Sequence, residues 1–270
     1  MKFISITDLS CANMAYNLYL QFKSFNLQNL LSIHASDDAT YRYLKEKDPS
    51  INLYLYEPYL HNKHIDLLKS GNKNQKYSLL QMVKHDIAAF FLDHTNDHVF
   101  IIDTDLIIFN KDFTIHLDHL FNYISTPLNK DINILAKIYL NFQVLHKPDT
   151  IHFGNCYNPL VNGGFIGYRN IPSSKVAIRE LYKQMQQFDL INNCNWVDGC
   201  LNIDEIILTN YLTTSNIGLT RIPDWLNTLS DHGHVYSPSE VLSQQPMTYH
   251  TTFCKNKEQF IKDCNKWLVS

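Results

Sequence analysis

Two acidic residues interrupt an apolar stretch near the middle of the sequence. Asp103 and Asp105, with Thr104 between them, follow the apolar residues 99–102 and precede the apolar residues 106–109. Burying carboxylates without a partner costs free energy, so this placement demands a partner, most simply a cation. Carboxylates at this spacing can meet at one ion, and hard oxygen ligands suit Mg²⁺ or Mn²⁺. The motif therefore favours a divalent-metal site over a pair of aspartates that only caps a loop.

The elements that would position these acids alternate between strand and helix. In the first half, apolar runs predict strands at residues 3–7, 30–34, 53–56 and 99–102, and helical periodicity predicts helices at 12–25, 37–47 and 77–92, with a polar loop at 61–75. This alternation indicates a layered α/β fold with the strand at 99–102 in the middle of a parallel sheet. Ligands of such sheets bind beyond the carboxyl ends of the strands. Thr7 and Asp8 are therefore expected to face the same crevice as the two aspartates.

The second half of the sequence is less regular. Its patterns predict a strand at residues 158–168, helices at 174–188 and 203–212, a short strand and turn at 219–226, and a loop-rich tail that ends in a helix at 258–268. Asn162-Gly163-Gly164 lies in the first of these strands. Its glycines would either adopt positive φ or let a ligand approach the backbone closely. No repeat or linker divides the chain, so we expect a single domain spanning residues 1–270.

Composition narrows the class of partner and the compartment. The net charge is -3 with 18% charged residues, which argues against a nucleic-acid partner. None of the six cysteines forms a C-x-x-C pair, and we expect free thiols in a reducing compartment. The N-terminal apolar run is too short for a signal peptide, and no apolar stretch is long enough to span a membrane. The expected protein is soluble and cytoplasmic, with no transmembrane segment.

Several segments, taken in order, resemble the GT-A-fold glycosyltransferases, in particular the retaining group with glycogenin, galactinol synthase and bacterial lipopolysaccharide galactosyl- and glucosyltransferases. The matching segments are the opening strand that ends at Thr7-Asp8, Lys76, Asp103-Thr104-Asp105, Asn162-Gly163-Gly164, Asp204-Glu205 and His250. Two departures stand out. Glu205 replaces the usual Gln, and the tail after His250 lacks the usual glycine. The resemblance implies a Rossmann-like α/β fold with a mixed, mostly parallel sheet flanked by helices.

The resemblance also assigns expected roles. The metal ion, Mn²⁺ or Mg²⁺, would be bound by Asp103, Asp105 and His250. The diphosphate would be bound by Lys255 or Lys257. Thr7 and Asp8 would contact the base and ribose, and Lys76 would help to anchor the sugar nucleotide. Asn162 and Asp204 would position the donor sugar above Gly163 and Gly164, and Thr104 belongs to the cofactor-binding motif. Residues 1–110 would form the nucleotide-binding half and residues 111–270 the half that binds sugar and acceptor.

The expected activity is metal-dependent transfer of a hexose from a nucleoside diphosphate sugar to a hydroxyl group. The resemblance favours a UDP-sugar as donor, retention of configuration, and a glycan, lipid-linked or protein acceptor; a homodimer is compatible with it. Retention would involve acceptor attack on the leaving-group face, because no residue stands out as a covalent nucleophile. An inverting enzyme would instead use Asp204 or Glu205 as a base, and the sequence leaves both open.

Three other classes share parts of this pattern. A haloacid-dehalogenase-type phosphatase also places Asp-x-Asp after an apolar strand, but its motif usually lies near the start of the chain and a later strand ends in paired acids. A non-catalytic sugar-nucleotide-binding module would share the fold without needing Asp105. A nucleotidyltransferase should carry a glycine-rich basic loop after the first strand, which residues 7–13 lack.

Overall fold

A computed structural model of the chain describes residues 1–56, 71, 73–123, 132–138, 161–187, 203–215, 217–229, 235–251 and 254–269. Most of the predicted polar loop at 61–75 lies outside these residues, although Lys73 to Gln75 already belong to a helix. Within the described residues, Cys11, Cys254 and Cys264 are free thiols, as predicted; the other three cysteines lie outside. No helix in the described ranges is long and apolar enough to cross a membrane. The single-domain organisation stays a prediction.

A mixed sheet forms the centre of the described structure. Its strands are β1 (Lys2–Thr7), β2 (Leu31–Ala35), β3 (Leu53–Leu55), β4 (Val99–Ile102), β6 (Ile132–Ile138), β7 (Val161–Tyr168) and β8 (Gly218–Arg221), in the spatial order β3-β2-β1-β4-β7-β6-β8. The first four strands in that order run parallel, and β7 is antiparallel to both of its neighbours. The mixed, mostly parallel sheet is therefore confirmed. The strand at Val99 is buried in its middle as predicted, with an antiparallel neighbour on one side.

A second, smaller sheet carries the end of the acidic motif. It consists of β5 (Leu106–Ile108), β9 (Asn227–Leu229) and β10 (Thr248–His250), with β10 antiparallel to β5 and parallel to β9. Register pairs His250 with Leu106, next to the motif. The buried Gln21 binds both the carbonyl of Leu106 and the amide of Ile108. The tail predicted to be loop-rich therefore contains a strand, since hydrogen bonds to two partner strands stabilise a segment too short to show a pattern.

Helices cover both faces of the large sheet. They are α1 (Ala12–Ser24), α2 (Asp38–Lys47), α3 (Lys73–His94), α4 (Phe113–Tyr123), α5 (Pro172–Gln187), α6 (Ile203–Thr214), α7 (Pro238–Gln244) and α8 (Lys257–Asp263). One apolar core joins the sheet to α3, α5 and α6, and a second joins it to α1, α2 and α4. A third, smaller core joins the second sheet to α7 and α8. Asp37, which the sequence pattern placed inside the second predicted helix, instead caps α2 by accepting from the amide of Thr40 at 2.8 Å.

The sheet topology gathers the predicted site residues at one edge. Ile4 of β1 pairs with Ile101 of β4, so the parallel strands end side by side, at Thr7 and just before Asp103. The amide of Asp103 also donates to the carbonyl of Gly164 at 2.9 Å, which joins the motif to β7. This is the edge at which open α/β sheets bind their ligands.

Candidate active site

Three side chains converge beyond the end of β4. Asp103, Asp105 and His250 each offer a ligand atom, and these atoms all lie within 4.8 Å of one another. His250 Nε2 lies 3.0 Å from Asp105 Oδ1 and 3.6 Å from Asp103 Oδ2. Asp105 and His250 are buried and Asp103 is partly exposed. Two carboxylates and an imidazole form a donor set that fits a divalent ion such as Mn²⁺ or Mg²⁺.

The orientation of the His250 ring supports this fit. Its Nδ1 lies 3.1 Å from Asn162 Oδ1, an oxygen that also accepts from the amide of Gly164 at 3.1 Å. Because that oxygen can only accept, Nδ1 donates to it, and Nε2 is the ring atom that faces the two aspartates. A divalent cation between them could take Nε2 as a ligand in place of the contact of Nε2 with Asp105. Asn162 therefore acts on the histidine, a contact that typically orients metal-binding imidazoles.

Asp105 is held in place by the tail of the chain. Thr251 Oγ1 donates to Asp105 Oδ2 at 2.9 Å, and Lys257 Nζ lies 2.6 Å from the same oxygen. Burial opposes ionisation of Asp105, but the charges of Lys257 and His250 outweigh it and hold the pKa of that carboxyl well below its usual value. Asp105 in turn raises the pKa of Lys257. Of the two tail lysines, Lys257 lies at the aspartates, whereas Lys255 is exposed.

The glycines of β7 are needed for close packing. Neither Gly163 nor Gly164 has positive φ, which corrects the left-handed alternative. A Cβ atom at Gly164 would lie 2.1 Å from His250 Cε1 and 2.5 Å from Asp103 Oδ2. A Cβ at Gly163 would lie 2.5 Å from Asp204 Oδ2. The bare backbone thus lets the acids and the histidine pack against the strand.

A buried lysine connects the acids. Lys84 lies on α3, and its Nζ is 3.1 Å from Asp103 Oδ1, 3.1 Å from the carbonyl oxygen of Gly163 and 3.4 Å from Asp204 Oδ2. Burial disfavours its charged form, but the two aspartates outweigh burial and raise the pKa of Lys84. No motif marks Lys84 in the sequence. Its available signal is that Lys84-His85-Asp86 interrupts a mostly apolar stretch of a predicted helix, between residues 79–83 and 87–92, where charged side chains require partners.

Lys76 was the basic residue expected near the donor. It lies in the first part of α3, half-buried, two turns before Lys84. Lys84, from the same helix, is a basic residue that contacts both Asp103 and Asp204. A ligand contact of Lys76 stays a prediction.

Asp204 and Glu205 lie at the start of α6, and both are buried. Burial opposes ionisation of Asp204, yet the charge of Lys84 and the contact with His85 outweigh it and lower the pKa of that carboxyl. Glu205 Oε1 accepts from the amide of Gly163 at 2.8 Å and from Asn162 Nδ2 at 3.2 Å. The helix start therefore contacts the same stretch of β7 that supports His250.

The loop after β1 lies near the aspartates. Thr7 is buried, and Asp8 caps a short helical turn by accepting from the amide of Cys11 at 3.1 Å. Burial raises the pKa of the Cys11 thiol, and the charges of Asp105 and Lys257 also act on it, which indicates proximity. Thr104 is nearly buried between the two acids. Nucleotide contacts by Thr7, Asp8 and Thr104 stay predictions.

Comparison with known proteins agrees with this fold. The family model described as nucleotide-diphospho-sugar transferase matches residues 26–263. Mouse xyloside xylosyltransferase 1 in its apo form is 12% identical, with a TM-score of 0.54 over 93% of this chain and 97% of that protein. An active-site mutant of LgtC is 13% identical, with a TM-score of 0.52 over 100% and 97% of the two chains.

A further solved structure with a similar fold belongs to a longer chain. GlyE of Streptococcus pneumoniae is 13% identical, with a TM-score of 0.51 over 100% of this chain and 60% of that protein. No curated protein sequence matches the chain. The fold is that of the GT-A glycosyltransferases. The chain belongs to the nucleotide-diphospho-sugar transferase family, and it is a glycosyltransferase. This family favours sugar transfer over the phosphatase alternative.

Proposed function

We propose that the protein transfers a hexose from a nucleoside diphosphate sugar, with a UDP-sugar as the expected donor, to a hydroxyl group of a glycan, lipid-linked or protein acceptor. The observation that carries this proposal is the convergence of Asp103, Asp105 and His250 within 4.8 Å. Held by these three residues, Mn²⁺ or Mg²⁺ would offset the charge that develops on the diphosphate as it leaves.

The charges around the site support a metal requirement. Four carboxylates, Asp103, Asp105, Asp204 and Glu205, and two lysines, Lys84 and Lys257, are linked by the contacts described above. With His250 neutral, as a metal-binding imidazole is, their formal charges leave a surplus of two negative charges. A nucleoside diphosphate is itself an anion, so the site would repel it until a divalent cation neutralises that surplus.

The remaining residues would bind and orient the donor. Lys257 is partly exposed and could turn from Asp105 to the diphosphate. Asp204 and Asn162 would orient the sugar ring, and the absence of side chains at Gly163 and Gly164 leaves room for Asp204, Asp103 and His250 to take their places at the site. The transition state for such a transfer is oxocarbenium-like, so most of the rate enhancement would come from placement and charge stabilisation.

The contacts of the two acids on α6 support retention of configuration. The carboxylate of Asp204 faces Lys84, and Glu205 Oε1 accepts from the backbone of Gly163. A base in an inverting enzyme must instead reach the acceptor hydroxyl. We therefore propose acceptor attack on the leaving-group face. NMR of the newly formed anomeric centre would test this, and an inverted product would contradict it.

A thermal-shift panel tests the proposed function as a whole. Nucleoside diphosphates and sugar nucleotides are each added with and without Mn²⁺. A ligand that binds the native state raises the melting temperature, and we expect that rise to require Mn²⁺. Asp105→Asn should abolish the metal-dependent rise, whereas Asp38→Asn, at an exposed acid of α2, should preserve it. If no diphosphate ligand shifts the wild-type melting temperature in the presence of Mn²⁺, the proposal is wrong.

A further inference from the structure

A buried histidine next to Lys84 contacts the back of the site. His85 has no exposed surface, and its Nδ1 lies 2.8 Å from the hydroxyl oxygen of Tyr168 on β7. Its other nitrogen, Nε2, lies 3.7 Å from Asp204 Oδ2. Tyr168 is also fully buried. Neither residue belongs to the donor-binding set proposed above, and their contacts lead to an acid that does.

The chemistry of the three groups defines one arrangement of protons. Burial lowers the pKa of His85 and raises that of Tyr168, so both are neutral near pH 7. The carboxylate of Asp204 can only accept a hydrogen bond. The hydroxyl of Tyr168 therefore donates to His85 Nδ1, which leaves the proton on Nε2, facing Asp204. The opposite tautomer would turn a lone pair toward the carboxylate.

The two oxygens of Asp204 have different surroundings. Lys84 and His85 both approach Oδ2, at 3.4 Å and 3.7 Å. Both oxygens are buried and neither has a hydrogen-bond partner in the part of the chain that the structure describes; the near contacts of Lys84 and His85 are with Oδ2. A buried oxygen of this kind requires a donor, and a sugar hydroxyl can supply one. The contact from His85 is longer than a hydrogen bond, and such contacts often tighten when the ligand is bound.

We propose that His85 is a positioning residue for the donor sugar. The hydroxyl of Tyr168 fixes the His85 tautomer, and the N–H of that tautomer together with Lys84 anchors Asp204 Oδ2. Oδ1 is then aimed at a hydroxyl of the donor sugar. This inference rests on the proposed role of Asp204 in binding the sugar. It predicts that His85 affects the sugar part of the donor and has little effect on its diphosphate.

Two kinds of ligand, one with and one without a donor sugar, separate this role from a purely structural one. Calorimetry with Mn²⁺ would give the dissociation constants of UDP, which has no sugar ring beyond its ribose, and of UDP-glucose and UDP-galactose. In His85→Leu we expect the value for UDP to stay within about twofold of wild type, while that of the tighter UDP-hexose rises about tenfold. His85→Gln retains an N–H donor of similar reach, and we expect it to recover most of the loss.

Tyr168→Phe tests the pair through the loss of one oxygen atom, in case His85→Leu fails to fold. It should weaken the UDP-hexose selectively, and nitrogen NMR of the histidine ring should show the Nε2–H tautomer in wild type and a mixture in the variant. Tyr56→Phe is the matched control, because Tyr56 donates a buried hydroxyl to Asp86 at 3.2 Å, beside His85 on the same helix. It should leave the ratio of the two dissociation constants unchanged.

The outcomes separate the two proposals. If UDP with Mn²⁺ does not bind wild type, the proposed function is wrong and this inference is wrong with it. If wild type binds both ligands but His85→Leu and Tyr168→Phe leave their ratio unchanged, or weaken both equally, the positioning role alone is wrong.

Discussion

His250 Nε2 lies 3.0 Å from Asp105 Oδ1, although 145 residues separate them in the chain. Strand register produces this contact. The antiparallel pairing of β10 with β5 sets His250 opposite Leu106, the residue after Asp105. Thr251, one position further, then donates to the same carboxylate. A candidate metal ligand is therefore positioned by two paired strands, a more rigid support than a loop.

Gly164→Ala should disrupt the candidate metal site. The added Cβ would lie 2.1 Å from His250 Cε1 and 2.5 Å from Asp103 Oδ2, so these side chains would have to move. We expect the Mn²⁺-dependent stabilisation by UDP to be lost in thermal-shift measurements, together with about 1–3 kcal/mol of stability.

Gly167→Ala is the matched control for that variant. Its Cβ would lie 2.3 Å from the ring of Phe100, in the core and not against an acid. It should lose stability while keeping the response to Mn²⁺ and UDP. Equal loss of the ligand response in both variants would show that any strain in β7 abolishes binding.

Lys84→Met should destabilise the protein strongly. The substitution keeps the length of the side chain but leaves the buried carboxylate of Asp204 without its nearest ammonium group. Removing one partner of a buried ion pair costs about 3–5 kcal/mol. Urea unfolding would measure this loss, with Lys76→Met expected within about 0.5 kcal/mol of wild type. If Lys76→Met weakens UDP binding more than Lys84→Met does, the sequence-based assignment of Lys76 is the better one.

Lys257→Met should weaken the binding of UDP with Mn²⁺, because the ammonium group lies 2.6 Å from Asp105 and can reach a diphosphate held there. A hydrogen bond from a charged group contributes about 1.5–3 kcal/mol, so calorimetry should show a loss of roughly tenfold to a hundredfold. Lys255→Met, at an exposed position of the same segment, should bind UDP like wild type. A larger loss in Lys255→Met would reverse this choice between the two lysines.

His34 should make the fold sensitive to acid. Its ring is fully buried, stacked on Tyr54 at 5.2 Å, and burial lowers its pKa to about 3. In the unfolded chain the pKa is about 6.5, so between these values the unfolded state binds more protons and stability falls as the pH falls. From pH 7 to pH 5 this residue should cost about 2 kcal/mol.

His34→Phe preserves an aromatic ring without a titrating group. Urea unfolding at pH 7 and pH 5 should show a smaller loss for this variant than for wild type. His94→Gln, at an exposed histidine of α3, should retain the wild-type loss. An unchanged pH dependence in His34→Phe would contradict the assignment.

Sequence patterns predicted the parts of the fold in which one element shows its own period. Strand β4 is a continuous apolar run, and α1 shows helical spacing over several turns, so both were predicted to within a residue or two. Strand β10 was missed because three residues show no period and its pairing with β5 and β9 defines it. The same limit applies to α7, a helix of seven residues that a capping box at Ser237 stabilises.

The residues of the candidate site also divide into those that the sequence predicts and those that only the folded structure reveals. Asp103 and Asp105 stand out because two acids in an apolar run require a partner, and the resemblance added His250. Lys84 could not be assigned from sequence, because its role depends on which residues of β7 and α6 face its helix. A lysine inside a helix is usually solvated, and only tertiary packing makes this one a buried partner of two acids.

Anomalous diffraction from crystals grown with Mn²⁺ and UDP tests the central claim most directly. We expect one manganese peak within about 2.0–2.3 Å of ligand atoms from Asp103, Asp105 and His250, with the diphosphate on its open side. A diphosphate bound without manganese at these residues, or a manganese peak that His250 does not contact, would contradict the account.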